Sequence, residues 1–197
     1  MHISDGVLSW PVLAAGTLMA SGGIAAGLKA TDYRKMPQVA VFTSLFFVGS
    51  LIHVPLGPAG AHMVLNGLAG VVLGWAVFPA LFIGLLLQAV IFSHGGITAV
   101  GVNTLNMALP GVVCWKLFGM VSNKPAAGFI AGFTGVAGSL IMLAACLILS
   151  ESAFMPAVKL LVAGHLPVAA AEGFVTAAAV GFLLKTCPEI IGNSHAH

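Results

Sequence analysis

The sequence predicts an all-α integral membrane protein of about seven transmembrane helices, and three observations carry that prediction. The chain has 197 residues, of which 59% are hydrophobic and 6% charged, with a mean hydropathy of +1.10. A water-soluble core of this size cannot hide so much apolar surface. The apolar residues fall into seven runs separated by short Pro, Gly or charged breaks, and a helix satisfies its own backbone N–H and C=O groups in hydrocarbon. The 25 glycines and 10 prolines suit the same class, because small residues let membrane helices approach and Pro is better tolerated there. Residues 1–197 read as a single transmembrane domain in a lipid bilayer. The net charge of +2 is small and scattered, so the chain offers nothing to nucleic acid.

The first run, Leu8 to Gly27, carries a Gly22-Gly23 pair that predicts close packing, and it ends at the charged turn Lys29 to Lys35. The second, Val39 to His53, stops at Pro55-Leu-Gly-Pro-Ala-Gly60, read as a loop or unwound break. The third starts near Ala61 and reaches Trp75, and the fourth is Val77 to Phe92, with Pro79 in its first turn. After the turn Ser93-His-Gly-Gly96 comes the fifth, Ile97 to Phe118, with Asn103, Asn106 and Pro110 inside. Its Asn side chains either hydrogen-bond across helices or mark where a helix starts after a loop dipping into the bilayer. Lys116 to Lys124 reads as a short polar connection. The sixth run, Ala126 to Leu149, has Gly128, Gly132, Gly135 and Gly138 at helical spacing, a contact face for a neighbour. A less regular stretch through Pro156 and Lys159 precedes the seventh, Pro167 to Leu184. The tail ends Ser194-His-Ala-His197.

Cys114, Cys146 and Cys187 are far apart and set in apolar sequence, so they read as packing residues, not as a disulfide framework or a CxxC metal site. The first run has Asp5 before it, no basic residue until Lys29 and no small-residue cleavage motif. It is therefore expected to be retained as a helix, with Met1 as the mature terminus.

Seven crossings leave the termini on opposite sides. With the N-terminus outside, Lys29, Arg34, Lys35, Lys116, Lys124 and Lys185 all fall at cytoplasmic ends and only Lys159 falls outside, so the positive-inside rule favours N-out and C-in. That orientation gathers His2, His53, His62, His94 and His165 on the outer face with Asp5 and Glu172. Such a set suits a cation arriving from outside; the plainer reading places each His at a helix end, where polar residues belong.

The opening Met1-His2-Ile3-Ser4-Asp5-Gly6 is the most chemically loaded stretch. A His at position 2 offers the Met1 amine, its own deprotonated backbone nitrogen and an imidazole nitrogen in one plane. Nickel(II) and copper(II) favour tetragonal nitrogen ligation, whereas zinc favours a tetrahedron. A fourth ligand must come from elsewhere in the fold, and Asp5 is placed to orient the His2 ring, since ligating imidazoles usually give their other N–H to a carboxylate or carbonyl. His62 follows the Gly/Pro loop and is read as opening an apolar helix, from which its ring could point into the bundle.

The segments MHISDGVLS, GPAGAHMVLNGLAG, HGGITAVGVNTLNMALPG and HLPVAAAEGFVTAAAVGFLLK resemble the CbiM/NikM family, the membrane-embedded substrate-capture components of energy-coupling-factor transporters for cobalt and nickel. They follow the family's order over nearly the whole chain. The resemblance implies a metal site made by Met1, His2 and His62; Asp5, His53, His94 and Asn103 are the candidates from this sequence for supporting residues around it. His53 itself matches no ligand position, and the loop Leu56 to Ala61 is poorer in Gly, Thr and Ser than the family's. Ser-Asp-Gly after His-Ile is closer to the nickel-type opening than to the cobalt type, so Ni2+ is the expected cargo and Co2+ the alternative; no catalytic cofactor is implied. It also implies a bacterial or archaeal plasma-membrane location, a second transmembrane coupling subunit, cytosolic ATP-binding subunits and a small accessory membrane subunit. The chain has no GxxxxGK[ST] phosphate loop of its own. A competing reading, an intramembrane zinc-dependent metalloenzyme with Glu172 as general base, needs an open coordination position, and no HExxH is present. A plain channel would be blocked by a closed set of nitrogen ligands.

Overall fold

The computed structural model describes residues 2–51, 53–56 and 59–192, with residues 53–56 and 59–62 described by their backbone. Each of the seven apolar runs contributes a helix. Helix α1 (Trp10–Ala30) starts with Pro11 in its first turn and ends where the Thr31 hydroxyl donates to the Gly27 carbonyl at 2.7 Å. After a 3-10 turn, Tyr33–Lys35, capped by the Asp32 side chain, comes α2 (Met36–Gly49). The Pro/Gly break expected to be a loop is instead a short antiparallel hairpin, β1 (His53–Leu56) and β2 (Ala59–His62), pairing His53 with His62. An isolated two-stranded ribbon holds Pro55 because both its strands are edges.

Helix α3 (Asn66–Leu73) is eight residues long and buried throughout. A 3-10 turn, Gly74–Ala76, leads into α4 (Val77–Phe92), so the third and fourth runs form one interrupted stretch. The third begins at Asn66, not near Ala61: His62 closes β2 and opens no helix. Helix α5 (Val100–Met120) includes Lys116, and α6 (Lys124–Ser150) is capped by Asn123, whose side chain accepts from the Ala126 N–H at 3.1 Å. Helix α7 (Met155–Thr186) absorbs the stretch read as irregular, because Pro156 lies in its first turn, where a missing N–H costs nothing. A short α8 (Pro188–Gly192) follows; His195 and His197 lie outside the described residues.

Among the described residues four stretches are long and apolar enough to cross a bilayer: Trp10–Ala30, Asn66–Phe92, Lys124–Ser150 and Ser152–Thr186. At 14 and 8 residues, α2 and α3 fall short of the roughly 20 that a hydrocarbon core needs. The four stretches take in five of the seven apolar runs, α3 and α4 together forming one of them. Large apolar side chains such as Leu18, Val90, Ile141, Phe174 and Phe182 face outward, as a lipid-facing surface requires.

The interior is built around α3. A Cβ at Gly67 would lie 2.3 Å from the Ala131 carbonyl oxygen, and one at Gly70 2.0 Å from that of Gly111. Glycine is thus required where α3 touches α6 and α5, backbone on backbone. The Asn66 amide donates to the carbonyls of Met107 (2.9 Å) and Gly135 (3.1 Å) and to the Ser139 hydroxyl (2.9 Å), stapling the three helices. The cysteines are unpaired: the buried Cys114 thiol donates to the Ala131 carbonyl, and Cys146 meets the Asn106 carboxamide oxygen at 3.6 Å.

Candidate metal-capture site

The N-terminal segment runs across one end of the bundle, where α2, α4 and α6 finish and α5 begins. Ile3 and Leu8 are buried there and anchor it hydrophobically. Asn103, in the first turn of α5 and 2% exposed, exchanges two hydrogen bonds with the Ile3 main chain: its Oδ1 accepts from the Ile3 N–H and its amide donates to the Ile3 carbonyl, both at 3.0 Å. A carboxamide mimics a neighbouring strand in this arrangement. The Ser9 N–H donates to the Ser150 hydroxyl at 3.1 Å, tying the start of α1 to the end of α6.

The α4–α5 loop supplies the other wall. Helix α4 ends at Ser93 in the left-handed region (φ +54°), and the His94 N–H folds back onto the Gln88 carbonyl at 3.2 Å. A Cβ on Gly96 would fall 2.0 Å from Asp5 Oδ1 and 2.5 Å from its backbone nitrogen, and one on Gly95 (φ +78°) 3.3 Å from His2 Cβ. Both glycines let the two backbones touch. Asp5 accepts from the Thr98 N–H (3.0 Å), the Ile97 N–H (3.2 Å) and the Thr98 hydroxyl. Led by the Thr98 hydroxyl, these bonds hold the Asp5 carboxyl below its usual range, although the side chain is exposed.

The His2 ring meets a buried relay. Its Nε2 lies 2.9 Å from Oε1 of Gln88, which is 0% exposed in α4. The Ser50 hydroxyl donates to the Phe47 carbonyl (2.8 Å), so its lone pair takes the Gln88 amide N–H (2.7 Å), with the Phe46 carbonyl on the same side at 3.5 Å. That fixes the carboxamide with its oxygen toward His2. Nε2 must then carry a proton, so in the neutral ring the lone pair is on Nδ1. The His94 ring stacks on the His2 ring at 6.5 Å between centroids and lies tilted to that of Phe92 at 6.0 Å.

The expected residues are thus partly brought together. His2, Asp5, His94 and Asn103 share this end of the bundle. His62 and His53 stand opposite each other on the hairpin, while their side chains, and Met1, lie outside the described residues. His165 is no helix-end residue: it is buried within α7, with Nδ1 2.9 Å from the Leu161 carbonyl. Glu172 lies midway along α7, where its carboxylate accepts the backbone N–H groups of Val64 and Leu65. Among the described residues no three His, Cys, Asp or Glu side chains converge on a point. The residue missed by sequence reasoning is Gln88, although a strongly polar side chain inside an apolar membrane helix is costly and for that reason informative.

These features define a helical, multi-pass plasma-membrane protein that seats its own N-terminal histidine in a buried polar relay. The chain belongs to the CbiM family, the cobalt uptake substrate-specific transmembrane region, whose model matches residues 2–190. It is 38% identical to a putative metal transport protein of Haemophilus influenzae over 98% of each chain. A fused nickel transport protein, NikMN, of Rhodobacter capsulatus is 34% identical over 100% of this chain and 65% of its own length. The cobalt transport protein CbiM of Sorangium cellulosum is 28% identical over 97% of this chain and 94% of its own. A truncated transition metal transporter of solved structure shares the fold, with a TM-score of 0.79 at 24% identity over 96% of this chain and 99% of that one. The protein is the substrate-specific membrane component of a transition-metal uptake system.

Proposed function

We propose that this chain, as one transmembrane domain, captures Ni2+, with Co2+ as the alternative cargo, from outside the cell for ATP-driven uptake. The ligands are the Met1 amine, the His2 backbone nitrogen, His2 Nδ1 and an imidazole nitrogen of His62. The observation that carries this reading is the relay from Ser50 through Gln88 to His2 Nε2. In the neutral ring it puts the proton on Nε2 and so selects Nδ1, the ring nitrogen that closes a small chelate ring with the backbone nitrogen of its own residue. Gln88 does what outer partners of ligating imidazoles do, fixing tautomer and ring orientation. Planar nitrogen ligation favours nickel over zinc.

Energy comes from partners of the energy-coupling-factor type: a second transmembrane coupling subunit, cytosolic ATP-binding subunits and a small accessory membrane subunit. The fused architecture named for the Rhodobacter capsulatus relative supports a membrane partner. The protein catalyses nothing itself. Glu172, the residue a zinc enzyme would need as general base, has its carboxylate engaged by backbone N–H groups. Titration of the detergent-purified chain with nickel, cobalt, zinc and copper in a calorimeter tests the proposal. Tight nickel binding is expected, and a preference for zinc would overturn the nitrogen-plane reading.

A further inference from the structure

Helix α3 begins without a cap of its own. Its N-cap position is Leu65, a non-glycine residue in the left-handed region (φ +54°), whose side chain has no acceptor for the first N–H groups. Such a conformation persists only where the surroundings hold it, and the exposed N–H groups of a helix start need acceptors. The N-cap residue and the one before it are gripped from another helix. Glu172 of α7, 1% exposed, takes the Leu65 N–H with both oxygens at 3.0 Å and the Val64 N–H with Oε1. A carboxylate is also the favoured charge at that end of a helix. The two N–H groups follow His62 directly in the chain after Met63, and β2 packs against α7. These peptide units form the short link between the end of β2 at His62 and the start of α3 at Asn66, and one side chain grips that link.

We infer that Glu172 is a positioning residue for metal capture: by gripping the Val64 and Leu65 amides it sets the height and direction at which β2 delivers His62. This rests on the proposal that His62 is a ligand. Glu172 touches no metal and acts through the backbone. Its effect is to pre-organise the ligand contributed by the hairpin, as the Gln88 relay pre-organises the ligand contributed by the terminus.

Two variants of the full chain test this. Glu172→Gln keeps an oxygen that can accept both N–H groups; Glu172→Leu keeps the volume and removes every acceptor. In metal-free protein, amide hydrogen exchange over residues 63–66 should quicken roughly tenfold or more in E172L, with α5 and α6 unchanged, and stay near wild type in E172Q. Nickel titration should show E172L weakened by about tenfold or more, the size expected for loss of an outer partner of a metal site, with an altered nickel ligand-field absorption spectrum, and E172Q close to wild type in both. Three results would overturn the inference: unchanged exchange in E172L, faster exchange with wild-type affinity and spectrum, or E172Q as damaging as E172L. A wild-type chain that bound no nickel would overturn the capture reading and the metal half of this inference with it; exchange at Val64 and Leu65 reads the grip without metal.

Discussion

The His2 imidazole and the Gln88 carboxamide, 86 positions apart in the chain, meet at 2.9 Å with the amide turned so that its oxygen faces the ring. Replacing Gln88 by Leu removes the acceptor and frees the ring to rotate or to protonate on the other nitrogen. Nickel affinity should fall by ~10–100-fold, with helical content unchanged by circular dichroism. Ser50→Ala should act in the same direction and less strongly, since Gln88 keeps the Phe46 carbonyl as a guide. Calorimetry checks both, and Q88L binding as tightly as wild type would remove the relay from the mechanism.

The terminus itself is tested by length. One Ala inserted between Met1 and His2 enlarges the chelate while keeping every side chain, and a tag or an acetyl group turns the Met1 amine into an amide. Each variant should reach the membrane in normal amount and lose nickel binding and uptake. A tagged protein with native affinity would show that the amine is no ligand.

Gly96 has no room for a side chain against Asp5. Gly96→Val should therefore lift residues 2–6 from the loop, weaken nickel binding roughly tenfold or more, judged against the ~10–100-fold typical of a disturbed metal-site partner, and make the segment accessible to an added exopeptidase. Thr98→Val, which removes one donor to Asp5 and leaves the two backbone N–H bonds, should do less. Equal effects would mean that the hydroxyl, not the close backbone approach, seats the segment.

Acid should release the metal in a window set by the ligands. The amine, with a reference pKa of ~7.7–8.0, and the imidazole, at ~6.5, must both be deprotonated to bind, so affinity should fall as pH drops from about 8 to 6. Asp5 lies outside that window. Its carboxyl is lowered in the folded chain, first by the Thr98 hydroxyl, so its clamp is present above the ordinary carboxylate value and is lost only as pH falls through the lowered one. Asp5→Asn should shift overall affinity without moving the midpoint of the decline. A moved midpoint would place the Asp5 charge at the metal.

Orientation is open to labelling. Tyr33 is 90% exposed in the turn after α1, and the charge count predicts a cytoplasmic position for that turn. A cysteine at position 33, in a chain lacking Cys114, Cys146 and Cys187, should resist an impermeant maleimide applied to intact cells. Labelling from outside would invert the topology and turn the His2 end of the bundle inward.

The helices were legible because apolar runs bounded by Pro, Gly and charge are a local signal. The pairing of distant polar groups was not. Nothing periodic joins His2 to Gln88 or Glu172 to Leu65; the trace each leaves is a polar side chain where an apolar one would be cheaper. Asn103 was found that way and Gln88 was overlooked in the same kind of setting. The hairpin was hidden because Pro and Gly signal a break without saying whether the flanking residues pair. His165 was misplaced because Pro167 suggested a helix start, whereas α7 continues through that proline.

The seat of the N-terminal segment has a consequence for how the protein is made. Residues 2, 3 and 5 leave the ribosome well before their partners Gln88, Asn103 and Thr98, which come 86, 100 and 93 residues later. Until α4 and α5 have entered the membrane, the segment has nowhere to dock, and it must wait on the correct side of the bilayer as the rest of the chain is threaded in. Docking of the segment is thus a late event of biogenesis that waits for α4 and α5, and a ribosome stalled before α5 would leave an inserted, helical fragment with the segment undocked.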